Sequence, residues 1–339
     1  MTDRLVKASS ERRGTIKDFQ VVEADGGPLV LCALTDTVDV WDPVADRWTT
    51  SPLREPYLWN GEAYIASPDD GDHPDFDGEI EVGSLAAVVH DGRVLVAGGG
   101  EHTPLAVWDA VTGAVVRRTA LRGDVWNTAA AWLDGRPIFL ACPNSAPFLS
   151  IWPLEPQAPP VRLPRHHGDG ITALAAGEYD GGPLAVSGCL AGIVGVWDLR
   201  RAELLTGFEV EKGSVRGVAL SRVGDTPVVV AAEDKPGTLY VRELVSGGLL
   251  SKIETDHQRR IFALDAAVVG GRSIAVTGCE GGVVRLWDLG AGKPIGEPLT
   301  GHRGQVYHAA ITTLDGRPVA LTAGQDSRVR VWDLSDLPG

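Results

Sequence analysis

Few residues in this 339-residue chain stand at spacings that do chemistry. There is no GxxxxGK phosphate loop, no HExxH zinc signature and no GxSxG nucleophile turn. The run AGGGEHT at 97–103 is rich in glycine, as a phosphate cradle would be, but it lies where a short apolar strand enters a turn and no helix follows. The acidic run PDDGDHPDFDGEIE at 68–81 offers the oxygen ligands that calcium prefers. It lacks the regular ligand spacing of a calcium loop, so it reads as an acidic surface loop. The cysteines stand far apart at 32, 142, 189 and 279, with no CxxC pair. They fall in or just after short apolar runs, where cysteine behaves as a small buried hydrophobe. The histidines do not gather with other ligands, so no metal or cofactor is expected. By these residues the protein is a binder and not an enzyme.

Bulk composition narrows the partners. Hydrophobic residues make up 44% and charged residues 22%, which suits a folded globular chain. The net charge of −14 argues against a nucleic-acid partner, which calls for a basic face, and against docking on anionic membrane. No apolar stretch approaches the roughly 18 residues of a membrane span. The opening residues, MTDRLVKASSERRGTIKDF, hold no apolar core of signal-peptide length, so a cytoplasmic location is expected. Arginines outnumber lysines 25 to 6, a coding bias of the kind seen in GC-rich bacterial genomes.

The elements that position these residues come from a repeat. An apolar-x-apolar-Trp-Asp pattern recurs as VDVWD ending at Asp42, LAVWD at Asp109, VGVWD at Asp198, VRLWD at Asp288 and VRVWD at Asp333. Two degenerate copies, LSIWP around Trp152 and LYVRE at Arg242, bring the number to seven. Positions 108, 152, 197, 242, 287 and 332 are 44, 45, 45, 45 and 45 residues apart. The first interval, from Trp41 to Trp108, is 67, and an insert of about 22 residues accounts for the excess. Within each repeat a strand ends in a turn such as HDGR or LDGR. A short Val-, Ile- and Leu-rich strand comes next, then the Trp-Asp strand, then a more polar one. Four strands per repeat make one propeller blade, and seven repeats fill the chain. The fold class is therefore all-β, a seven-bladed β-propeller over residues 1–339, with an acidic aromatic insertion at 55–82 between blades one and two.

On these motifs the chain resembles the WD-repeat family over essentially its full length. The resemblance implies that the N-terminus supplies the outer strand of the last blade. Only Asp333 to Gly339 come after Trp332, too few for a fourth strand, and Arg4 to Ser9 is the spare segment. It also implies a buried hydrogen-bond network within a blade, placed here on His302, Thr322, Asp326 and Trp332. His167 and His257 keep the histidine position, and Ser187 and Thr277 the hydroxyl. The Asp position holds Ala191 and Gly281, which leaves those two networks incomplete.

Two surfaces remain for function. The first is the insertion, with Tyr57, Trp59, Tyr64 and Phe76 set among acids that include Asp72, Asp75 and Asp77. Residues 55–92 carry ten Asp and Glu and no Lys or Arg, which suits a basic partner. The resemblance places this loop on the usual partner-binding face. The second surface is the mouth of the central channel. Each first strand opens with an apolar residue and then a variable one, and these read Lys17, Gly83, Trp126, Thr172, Arg216, Phe262 and Tyr307. The resemblance places this position at the mouth, where the residues either bind a partner or plug the channel. These features together describe a non-catalytic scaffold or adaptor that binds a protein or peptide through the insert-bearing face and the mouth. The alternatives are an enzyme or small-molecule sensor at the mouth, drawing on Arg216, Lys17, Asp124 and His308, or a sugar-binding propeller.

Overall fold

In the computed structural model, residues 4–34, 37–51, 53, 58–59, 64–65, 82–100, 105–119, 124–143, 147–179, 182–234 and 237–337 are described, at 58–59 and 64–65 for the backbone only. Short β-branched runs bounded by tight turns form antiparallel strands, and these assemble into seven four-stranded sheets. The first strands are Asp18–Ala24, Ser84–His90, Val125–Leu133, Ile171–Tyr179, Val215–Val223, Ile261–Val269 and Val306–Leu314. Each contacts the first strand of the next blade, and the seventh meets the first, so they line a closed ring. A two-stranded ribbon pairs Leu58–Trp59 with Tyr64–Ile65 inside the insertion.

Turn chemistry sets the hairpins. Asp91–Gly92, Asp134–Gly135 and Asp315–Gly316 all hold positive φ, near 50° for Asp and between 70° and 76° for Gly. Two consecutive residues with positive φ define the turn whose twist matches flanking strands, which is why Asp-Gly recurs here.

Ring closure takes the expected route. Leu5–Ala8 pairs antiparallel with Val329–Asp333, putting Leu5 opposite Trp332. Backbone bonds continue beyond the strand, from Asp333 N–H to Arg4 O at 2.9 Å and from Ser9 N–H to Val329 O at 2.9 Å. The same segment reaches blade one. Lys7 Nζ donates to Pro43 O at 2.8 Å, and Arg12 pairs with the buried Asp39 and lies 5.2 Å from the Trp48 ring. The N-terminus thus ties the last blade to the first as well as capping an edge.

A belt of tryptophans fills the blades. Trp41, Trp108, Trp197, Trp287 and Trp332 are at most 2% exposed. In blades four, six and seven the indole Nε1–H donates to Ser187, Thr277 and Thr322 at 2.7–2.8 Å. His167, His257 and His302 bond the same hydroxyls through Nε2 at 2.7–2.8 Å. Of the three, among the described residues, His302 alone gains a carboxylate, Asp326 at 3.0 Å, and Arg330 joins that carboxylate at 2.6 Å. Among the described residues His167 Nδ1 has no partner, as its missing Asp implies. Burial and the neighbouring His166 push His167 down to about 4, and burial alone pushes His257 to about 4.

Blades one and five solve the same problem with other groups. Trp41 Nε1–H donates to Asp46 at 3.1 Å. In blade five the buried Glu233 accepts the Lys212 backbone N–H at 2.5 Å and faces Tyr240 Oη at 3.3 Å. The Asp of each Trp-Asp pair has its own task, which the sequence pattern does not reveal. Asp109 accepts the N–H groups of Val111 and Thr112 at 3.0 and 2.9 Å, closing the turn to the fourth strand. Asp42, Asp198 and Asp288 do the same in their blades, Glu243 replaces them in blade five, and Asp333 accepts the Ser335 N–H at 2.7 Å after the last Trp-Asp strand, where no fourth strand follows in the chain among the described residues.

Candidate functional site

The residues preceding the variable positions, Ile16, Val82, Val125, Ile171, Val215, Ile261 and Val306, are all fully buried. They anchor the ring from within. A Cβ added to Gly188 or Gly278 would lie within 2.8 Å of the next blade's Val215 or Val306, so glycine at the end of the second strand admits that anchor.

A β-bulge aims the residue next to the anchor in five of the blades. In blade three Val125 pairs with Pro143 and Asn127 with Cys142, so Trp126 is an extra residue with no partner across the ladder. The same shift isolates Thr172, Arg216, Phe262 and Tyr307 in blades four to seven. A bulge bends its strand and re-aims the unpaired side chain. Lys17 and Gly83 lack a bulge and sit just before their strands, held by backbone bonds to Ala33 O at 2.9 Å and Gly99 O at 2.8 Å.

All seven variable residues line one cavity of about 330 Å³ at the channel mouth. Gly83 makes room for its neighbour, since a Cβ there would stand 2.6 Å from the Trp126 ring. Thr172 is turned sideways, its hydroxyl donating to Val215 O of the next blade at 2.6 Å. Phe262 and Tyr307 form an aromatic pair with centroids 6.0 Å apart and an interplanar angle of 56°. Burial, with the Glu280 charge, raises the Tyr307 phenol. Arg216 lies 4.0 Å from Asp234 Oδ2, and so does Arg260 from the next blade.

One pair at the mouth escapes any reading of spacing. His308 Nδ1 lies 2.9 Å from Asp18 Oδ1, across the seam between blades seven and one. Asp18 also accepts the Phe19 N–H at 2.7 Å and the Leu85 N–H at 2.8 Å. Burial alone would lower the His308 pKa, but the Asp18 carboxylate, with Asp265 beyond, outweighs it and raises it. Residues 290 positions apart in sequence meet only because the ring closes. Asp124, another polar residue of this region, lies just before the third blade's first strand.

Residues 292–333, the end of blade six and most of blade seven, match the family described as WD domain, G-beta repeat. The chain carries a WD repeat within a seven-bladed propeller. No curated protein matches it in sequence. Among solved structures, that of the computationally designed Ika8 protein is similar, with a TM-score of 0.61 and 20% identity. The match covers 98% of this chain and 100% of that one, and at such identity it concerns the fold alone.

In this propeller the other sequence-derived sites fare differently. His302, Thr322, Asp326 and Trp332 come together as one network. In the insertion, Tyr57, Phe76, Asp72, Asp75 and Asp77 lie outside the described residues, and Trp59 and Tyr64 are placed by backbone only. The four cysteines are free and buried. Among the described residues, no group of three or more potential metal ligands converges.

Proposed function

We propose that this WD-repeat propeller is a non-catalytic scaffold that seats a protein or peptide partner at the channel mouth. The observation that carries the reading is the convergence of six non-repeating side chains and Gly83 on one cavity, five of the side chains aimed by bulges. Bulges are features that re-aim side chains, and aromatic residues with arginine are the types that dominate binding energy. The acidic insertion, 55–82, serves in this reading as a second contact for a basic stretch of the partner. A cytoplasmic location belongs to the same reading, since four free buried cysteines suit a reducing compartment. A small-molecule sensor is the second reading, favoured by a cavity volume within the small-ligand range.

Affinity capture from the native host tests the first reading. Trp126→Ala and removal of 58–80 should each weaken recovery of the partner by about tenfold or more, the effect of losing one binding hot spot. Recovery unchanged by both would refute the assignment of the site. A melting temperature raised by a metabolite, with no protein recovered, would favour the sensor.

A further inference from the structure

We infer that the channel mouth takes an acidic segment of its partner, in which carboxylates flank an aromatic or apolar residue. This rests on the mouth being a binding site and adds the chemistry of what it binds. Four consecutive blades, five, six, seven and one, contribute Arg216, Phe262, Tyr307 and Lys17 to the cavity. The order round the ring is therefore cation, aromatic, aromatic, cation, and the two rings form a contiguous apolar wall 6.0 Å between centroids.

The cations are only partly compensated by the described residues. Arg216 Nε is shielded from water and makes no hydrogen bond. Its carboxylate neighbour, Asp234, is 4.0 Å away, beyond hydrogen-bond reach. Arg260 stands at the same distance from the same oxygen, so one carboxylate faces two guanidiniums and about one positive charge is left over. A guanidinium offers five donors; the buried one on Nε is unmet among the described residues, which costs free energy, and the terminal nitrogens are not shielded and can meet an incoming carboxylate. Among the described residues, no carboxylate pairs with the Lys17 ammonium. Asp18, its neighbour in the cavity, is already engaged by Phe19, Leu85 and His308. Asp265, lower in the channel, accepts the N–H groups of Ala266 and Ile311. Glu280 lies near Tyr307 but does not line the cavity.

One cation, Arg216 or Lys17, thus stands on each side of the aromatic wall. That matches single carboxylates better than a phosphate dianion, and it is far too little for a nucleic-acid backbone. The whole chain is acidic, at −14, with ten of its acids and no Lys or Arg within residues 55–92. The overall negative charge disfavours non-specific binding of an acidic segment, so its binding would depend on the cations of the mouth.

Fluorescence anisotropy of the full chain with four labelled peptides tests this. The peptides carry the core Glu-Glu-Tyr-Glu-Glu, the same core with every Glu replaced by Gln, the same with Lys, and the acidic core with phosphotyrosine. The acidic peptide should bind at least about tenfold tighter than the Gln and Lys peptides. Arg216→Glu and Lys17→Glu should each weaken it by at least about tenfold, and circular dichroism should show both variants folded. Arg216→Glu should also narrow or reverse the preference over the Lys peptide. Equal or better binding of the Gln or Lys peptide, or no loss in Arg216→Glu, overturns the inference. A phosphotyrosine peptide more than about tenfold tighter than the carboxylate peptide overturns the assignment to carboxylates. If partner capture depends on Trp126 while no acidic peptide binds, the mouth remains a binding site and this inference alone falls.

Discussion

The tryptophan belt and the channel mouth are built from the same repeat, but the belt repeats its polar groups and the mouth varies them, while each leaves a buried nitrogen unbonded among the described residues, His167 Nδ1 in the belt and Arg216 Nε at the mouth. In the belts of blades four, six and seven, one hydroxyl serves both an indole N–H and an imidazole, and all three side chains are buried. At the mouth, five bulges project residues of five different types, and a guanidinium nitrogen is left unbonded. Buried polar groups are normally satisfied, because an unmet donor costs free energy in the folded state. The contrast separates residues that repeat to build the ring from residues that vary to meet something outside it. Substitutions in the first region should act on stability, and substitutions in the second on binding.

The largest expected effect breaks the ring itself. Deleting residues 1–13 removes the outer strand of blade seven, the Lys7 and Arg12 ties to blade one, and the cover over the Val329–Asp333 edge. Several hydrogen bonds at about 1 kcal/mol each, with the buried contacts they accompany, amount to about 5 kcal/mol, or on the order of 10 °C in melting temperature. Differential scanning calorimetry checks this, and an unchanged transition would show that the N-terminus does not close the ring.

A smaller effect comes from acid. His167 and His257 are held near 4 in the fold, below the usual 6.5 or so of an unfolded histidine. Their contribution is intact above about 6.5. As pH falls from there towards 4, the unfolded chain takes up protons that the fold refuses, and each histidine costs about 1.4 kcal/mol per pH unit. Asp326 behaves in the same sense at lower pH. Burial opposes its ionisation, but the His302 hydrogen bond and charge prevail and lower it to about 2. Its stabilisation is full above about 3.8 and is lost towards 2. Urea midpoints at pH 7 and 4.5 should therefore differ less for His257→Gln than for the parent chain. An equal difference would mean that the imidazole is not held neutral.

Much of this organisation was legible in the chain because it repeats. The 45-residue period fixed seven blades, the gap after Trp332 pointed to Arg4–Ser9 as the closing strand, and the register of first strands gathered the mouth residues. What escaped depends on geometry that a linear pattern does not carry. The bulges appear only as one unmatched residue in nine-residue first strands facing eight-residue second strands. Asp18 and His308 meet through closure, and Arg216, Arg260 and Asp234 meet because adjacent blades lie side by side. Blade five's Glu233–Tyr240 link replaces the usual belt with residues one position after that of the hydroxyl and two before that of the tryptophan.

The separation of stability from binding is tested most directly by one triple variant, Arg216→Ala with Phe262→Ala and Tyr307→Ala, assayed for melting and for affinity towards the acidic peptide. All three side chains are only half-buried, so the melting temperature should stay within about 5 °C of the parent. The affinity should fall by about a hundredfold or more, as expected for three contacts of about 1 kcal/mol each. A melting temperature lowered as far as by the 1–13 deletion, or an affinity left unchanged, would contradict the account.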